Sequence, residues 1–146
     1  MSIEGRVLAI DYGEKRIGIA MSDPLGMTAQ THPYLSNLPD WKTKLKALCD
    51  QYSVHTVLLG LPIAMSGSET TKSQEVRLLA EELGPFLSLP IFLRDERLST
   101  RAVTQRMISA DLRRDKRKEL VDSQAAAFFL QGYLDEVSRK KTPPHD

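Results

Sequence analysis

The chain has little of what would hold a secreted or membrane-bound protein together. One cysteine in 146 residues, Cys49, excludes an internal disulfide. The histidines His32, His55 and His145 are scattered, with no cysteine or second histidine at ligand spacing, which argues against a structural zinc site. No apolar run approaches the ~18 residues of a transmembrane helix. The opening Met-Ser-Ile-Glu-Gly-Arg lacks the basic, apolar and small-residue regions of a signal peptide. A cytoplasmic protein with no membrane partner is expected. Net charge is nearly absent too, at +1, which by itself argues neither for nor against nucleic acid.

What is present is enough apolar material, 41% of the chain, to bury one sizeable core, so a single α/β domain over 1–138 is expected, with a flexible tail at 139–146. Val7 to Ile10 is a short apolar run that fits a central strand covered on both faces, and Ile17 to Met21 repeats it after a charged turn, so the two read as a hairpin. Met27 to Tyr34 alternates weakly, as an edge strand does. Pro39-Asp40 starts an amphipathic helix over Trp41 to Tyr52, whose packed face takes Cys49 with Leu45 and Leu48. Val54 to Leu59 is another buried strand, and a meander followed by helix and strand implies a parallel crossover on a mixed sheet. The loop from Gly60 to Gly67 leads through Ser66 and Glu69, at capping-box spacing, into a helix with Val76, Leu79, Ala80 and Leu83 on its apolar side. A last strand spans Leu89 to Leu93, and Ser99 caps a helix holding Val103, Met107 and Ile108.

Three acids stand out. Asp11 directly follows the first strand, at the mouth of the sheet, where chemistry can reach it while the strand behind stays rigid. Asp95 and Glu96 follow the last strand, and alternation sends them to opposite sides, so only one shares a site with Asp11. Asp122 lies four residues before Ala126 on the stripe that continues through Phe129 and Tyr133 of the final helix. A carboxylate on a core-facing line is salt-bridged, capping or a metal ligand, and Lys118 at i−4 is the ion-pair candidate. Charge is also unevenly spread. Arg97, Arg101, Arg106, Arg113, Arg114, Lys116, Arg117 and Lys118 face only Asp111 and Asp115 within 97–118, a net of +6 that leaves −5 on the rest of the chain. Such a local basic patch is the footprint of a phosphate-backbone ligand.

Asp-Tyr-Gly-Glu-Lys-Arg-Ile-Gly at 11–18, Gly-Leu-Pro at 60–62, Asp-Glu-Arg-Leu-Ser-Thr at 95–100 and Val-Asp-Ser-Gln-Ala-Ala at 121–126 resemble the YqgF/RuvX family over nearly the whole chain. These are bacterial relatives of the RuvC-type Holliday-junction resolvases in the ribonuclease H-like superfamily, described both as junction resolvases and as nucleases maturing pre-16S ribosomal RNA. The resemblance implies a five-stranded mixed sheet flanked by helices, with Asp11, Glu96 and Asp122 as the acidic triad.

Hydrolysing a phosphodiester requires an activated water and neutralised phosphate oxygens, which two hard divalent ions clamped by carboxylates supply. Mg²⁺ prefers oxygen ligands, and Mn²⁺ can replace it. On this reading Asp11 bridges two ions, Glu96 and Asp122 hold one each, and the Lys/Arg residues of 97–118 grip the strand backbone, with Lys15 and Arg16 adding a phosphate contact. The expected partner is nucleic acid, pre-16S rRNA ahead of branched DNA, and the expected state a monomer or weak homodimer. Two other classes compete. The strand followed by Asp-x-Gly also opens actin-like ATPases, which need a second domain that this chain is too short to contain, and an RNA-binding assembly factor would keep the acids for structure.

Overall fold

The computed structural model describes residues 6–64, 66–95 and 114–141, without the side chains of 114–122 and 138–141. Its core is a sheet of five strands, β1 (Arg6–Tyr12), β2 (Arg16–Ser22), β3 (Ala29–Ser36), β4 (Val54–Leu61) and β5 (Ile91–Asp95), in the order β3-β2-β1-β4-β5. The first three form an antiparallel meander, and β1, β4 and β5 run parallel. Among the described residues the helices are α1 (Trp41–Gln51), α2 (Thr71–Leu87) and α3 (Arg114–Lys141).

Strict alternation divides the sheet's side chains between two layers. Leu8, Ile10, Ile19, Val57, Leu59 and Leu61 bury against α1 and α2 with Leu45, Val76 and Leu83. Val7, Ala9, Ala20 and Leu58 bury on the other face against Ala126, Phe129, Leu130 and Leu134 of α3. The small residues Ala9 and Ala20 are fully buried beneath this helix. Both faces of β1 and β4 are thus covered, which is why their sequences read as unbroken apolar runs.

Several details differ from the sequence reading. The cap of α2 is Thr70, whose hydroxyl accepts from Ser73 N (3.2 Å), while Ser73 Oγ accepts from Thr70 N (3.1 Å). Ser66 and Glu69 therefore do not form the box: Ser66 bonds Ser68, and Glu69 forms an ion pair with Arg77 that holds its carboxyl below the usual range. β5 starts after Pro90 and continues past Leu93 through Asp95, which pairs with Leu61, so Asp95 is a strand residue rather than one that follows the strand. α3 runs to Lys141, past residue 139 where the tail was expected to begin. The helix expected after Ser99, with Val103, Met107 and Ile108, lies outside the described residues, as does His145.

Candidate active site

Asp11 is the sixth residue of β1 and pairs across the hairpin with Gly18. By alternation it shares a face with Val7 and Ala9, the face that α3 covers, and it lies one residue beyond the Ile10↔Leu59 pair on β4. Its cross-strand neighbour, Gly18, has no side chain. The turn that follows is fixed by sterics and hydrogen bonds: a Cβ on Gly13 would lie 2.4 Å from the Arg16 carbonyl oxygen, and Asn37 Nδ2 donates to the Gly13 carbonyl (2.8 Å). Lys15 is exposed at the tip of this turn, and the Arg16 guanidinium lies 5.6 Å from the Tyr34 ring centroid.

The approach of α3 to this corner is set by one serine. The register shift between Ile17 and Ile19 on the β2–β3 ladder interrupts regular pairing. Buried Ser123 fills the gap, accepting from Ile19 N (3.4 Å) and donating to the His32 carbonyl (2.9 Å). Ile19 is paired with Ile10, so Ser123 sits over β2 one step below the level of Asp11. Further along α3, Gln131 accepts from Ala29 N (2.8 Å) and donates to the Met27 carbonyl (3.0 Å) at the opposite end of the sheet. The helix therefore descends from the carboxyl end of β1 toward its start, and position 122, next to Ser123 and one turn before Ala126, lies at the same end as Asp11. Ser123 is missed by the sequence reading, since only the bulge gives it a role.

Of the acid pair, Asp95 shares its face with Ile91 and Leu93, which pack toward α1 and α2, the side away from Asp11. Its neighbour Arg94 faces α3, where it makes a two-pronged ion pair with Glu136 (3.0 Å for each contact). Gly132 makes room for it, since a Cβ there would stand 3.1 Å from the Arg94 Nη2.

Glu96, Arg97, Arg101, Arg106 and Arg113 lie outside the described residues, and so do the side chains of Arg114, Lys116, Arg117, Lys118 and Asp122, although α3 carries their backbone. Among the described residues no three His, Cys, Asp or Glu side chains come together as a metal site. No helix among them is long and apolar enough to cross a membrane. Three carboxylates such as those of Asp11, Glu96 and Asp122 supply only hard oxygen donors, the donor set that suits Mg²⁺ or Mn²⁺.

Two solved structures share the fold at low identity: a fowlpox virus resolvase in complex with Holliday-junction DNA (TM-score 0.53, 16% identical, covering 90% of this chain and 98% of that one) and Thermus thermophilus RuvC with a Holliday-junction substrate (TM-score 0.55, 12% identical, 95% and 98%). Relatives named "Putative pre-16S rRNA nuclease" are far more similar in sequence. That of Clostridium kluyveri is 43% identical over 92% of this chain and 99% of its own length, and that of Clostridium botulinum is 44% identical over the same shares. The model of one family, described as RuvX: Holliday junction resolvase, matches residues 5–136, and the chain belongs to that family.

Proposed function

We propose that this chain is a divalent-metal-dependent nuclease, with Asp11, Glu96 and Asp122 as its metal ligands and pre-16S ribosomal RNA as its substrate. The observation that carries the reading is the position of Asp11. It stands at the carboxyl end of the central strand, on the α3 face, beside a glycine and at the end of the sheet where position 122 also lies. The opposite parity of Asp95 favours Glu96 as the third ligand. The names of the relatives over nearly the full chain favour the RNA substrate.

Each side chain has a distinct task. Asp11, on a strand buried on both faces, would hold the metal from a fixed position, and Glu96 and Asp122 would complete its carboxylate ligands. When bound, Mg²⁺ or Mn²⁺ would activate the attacking water and neutralise charge on the phosphate oxygens. Lys15 at the hairpin tip, with Arg16 behind it, meets the phosphates flanking the site, and Arg97, Arg101, Arg113, Arg114, Lys116, Arg117 and Lys118 hold the strand beyond it.

The test is cleavage of end-labelled linear RNA, single-stranded DNA and four-way junctions by purified protein in Mg²⁺ or Mn²⁺. Linear RNA carrying a precursor end should be cut, and Asp11→Asn should abolish the cut while leaving the fold intact, read as a cooperative thermal melt. Asp95→Asn should cut normally. Equal cleavage by Asp11→Asn and the parent would overturn the reading. The description of the matching family favours a second substrate, the Holliday junction. Paired, symmetric nicks in the junction with intact linear RNA would select it.

A further inference from the structure

Immediately after Asp11 the chain turns an aromatic ring to the other side of the sheet. Tyr12 is half-buried against the α1/α2 core layer, and its ring lies 5.7 Å from that of Trp41, centroid to centroid, at an angle of 44°. Trp41 is the first residue of α1, and the start of α2 is tied through Ser73 to the carbonyl of Pro62, which follows the carboxyl end of β4, so both helix starts flank the same end of the sheet as Asp11. Between them is a cavity of about 320 Å³, lined by Tyr12, Trp41, Lys42, Glu75, Leu79 and Glu82. Small-molecule sites span roughly 300–1,000 Å³, so the space is at the small end of that range and admits one planar ring system. The Lys72 ammonium lies 5.6 Å from the Tyr12 ring centroid.

The lining selects the occupant. An aromatic floor and the apolar wall of Leu79 suit a π-face. The carboxylates of Glu75 and Glu82 accept hydrogen bonds and repel anions, so a phosphate is disfavoured inside. Glu82 is engaged by Lys42 (2.7 Å), which leaves Glu75 as the acceptor offered to a ligand's N–H edge. Asp11 and Tyr12 are consecutive at the carboxyl end of β1 with side chains on opposite faces of the sheet, so a strand whose phosphate reaches Asp11 comes to this cavity by crossing the carboxyl ends of the strands.

We propose that the cavity is a subsite for one unpaired nucleobase next to the cleaved phosphate, stacked on Tyr12, with its N–H edge on Glu75 and the adjoining phosphate near Lys72. The inference rests on the nuclease reading above. Guanine is the favoured base, because its N1–H and N2–H₂ donors lie side by side and match one carboxylate. Stacking on an aromatic side chain is how single-stranded nucleic acid is held without duplex structure.

Trp41 is the chain's one tryptophan, so its fluorescence reports on the cavity directly. Titration of the full-length protein, in chelator to prevent cleavage, would use two end-labelled RNA heptamers, one of uridines alone and one with a single central guanosine. Anisotropy of the label reads binding anywhere on the protein, and Trp41 emission reads the cavity. The guanosine heptamer should quench Trp41 and bind several-fold more tightly than the uridine heptamer. Tyr12→Leu should weaken it about tenfold, and Glu75→Gln, a surface change that spares the core, should remove the guanosine preference. Binding with unchanged Trp41 emission, or with equal affinities for both heptamers in parent and Glu75→Gln, would overturn the subsite and leave the nucleic-acid reading standing. Absence of any anisotropy change would overturn both.

Discussion

At position 13 a side chain has no room. A Cβ there would meet the Arg16 carbonyl oxygen at 2.4 Å, a backbone atom that cannot swing aside as a flexible side chain would. Gly13→Ala should therefore force the hairpin open and cost ~1–3 kcal/mol, read as a lower melting temperature, whereas exposed Glu14→Ala, next to it, should stay within about 0.5 kcal/mol of the parent. Cys49 presents the opposite situation, a side chain held in by its surroundings. Burial in the α1 face, and secondarily the charge of Asp50, pushes its thiol up to about 11. The thiolate is the reactive form, so it is scarce in the folded protein at pH 7. Iodoacetamide should leave Cys49 unmodified at pH 7 until denaturant is added, and mass spectrometry of the treated protein checks it. Rapid modification without denaturant would show that α1 detaches readily from the sheet.

Among the elements, α2 depends on its start. Thr70 and Ser73 satisfy one another's backbone amides, and the Ser73 hydroxyl also donates to the Pro62 carbonyl, tying the helix to the loop after β4. Thr70→Ala should cost ~1 kcal/mol in a denaturant melt and Ser66→Ala far less. Equal losses would return the cap to Ser66. The sequence offers both pairs at the same spacing, so spacing could not decide between them; only the backbone of the loop, which places Glu69 opposite Arg77, does. The strands were legible for the complementary reason. Burial on both faces leaves apolar runs at Val7–Ile10 and Val54–Leu59 that no neighbouring element can disguise, and Asp11 is conspicuous because it ends one. Pairings distant in sequence carry no such trace: the Arg94–Glu136 contact and the insertion of Ser123 into the β2–β3 bulge join residues 42 and 104 positions apart. The aromatic corner of Tyr12 and Trp41 was hidden likewise, since it exists only once α1 returns along the sheet.

For the molecule as a whole the decisive quantity is the separation of charge, +6 within 97–118 against −5 elsewhere. A nucleic-acid strand drawn to the basic stretch is repelled by much of the remaining surface, so affinity should depend on few contacts and respond sharply to salt. Each neutralised phosphate releases counterions, giving a slope of log K against log salt of about −0.7 per phosphate contact for single strands. Replacing Arg113, Arg114 and Arg117 together with glutamine should then flatten the slope by about 2, measured by anisotropy of a labelled RNA in chelator across a salt series. The fold should tolerate the change. Arg114 and Lys118 are four residues apart on α3, and like charges at that spacing on a helix are mildly unfavourable, so removing Arg114 relieves repulsion. Asp11→Asn provides the contrast, because it removes an anion and releases no bound counterions, and so should raise affinity without changing the slope. An unchanged slope in the triple variant, with an unchanged melting temperature, would mean that the basic stretch faces solvent and that the strand is held elsewhere.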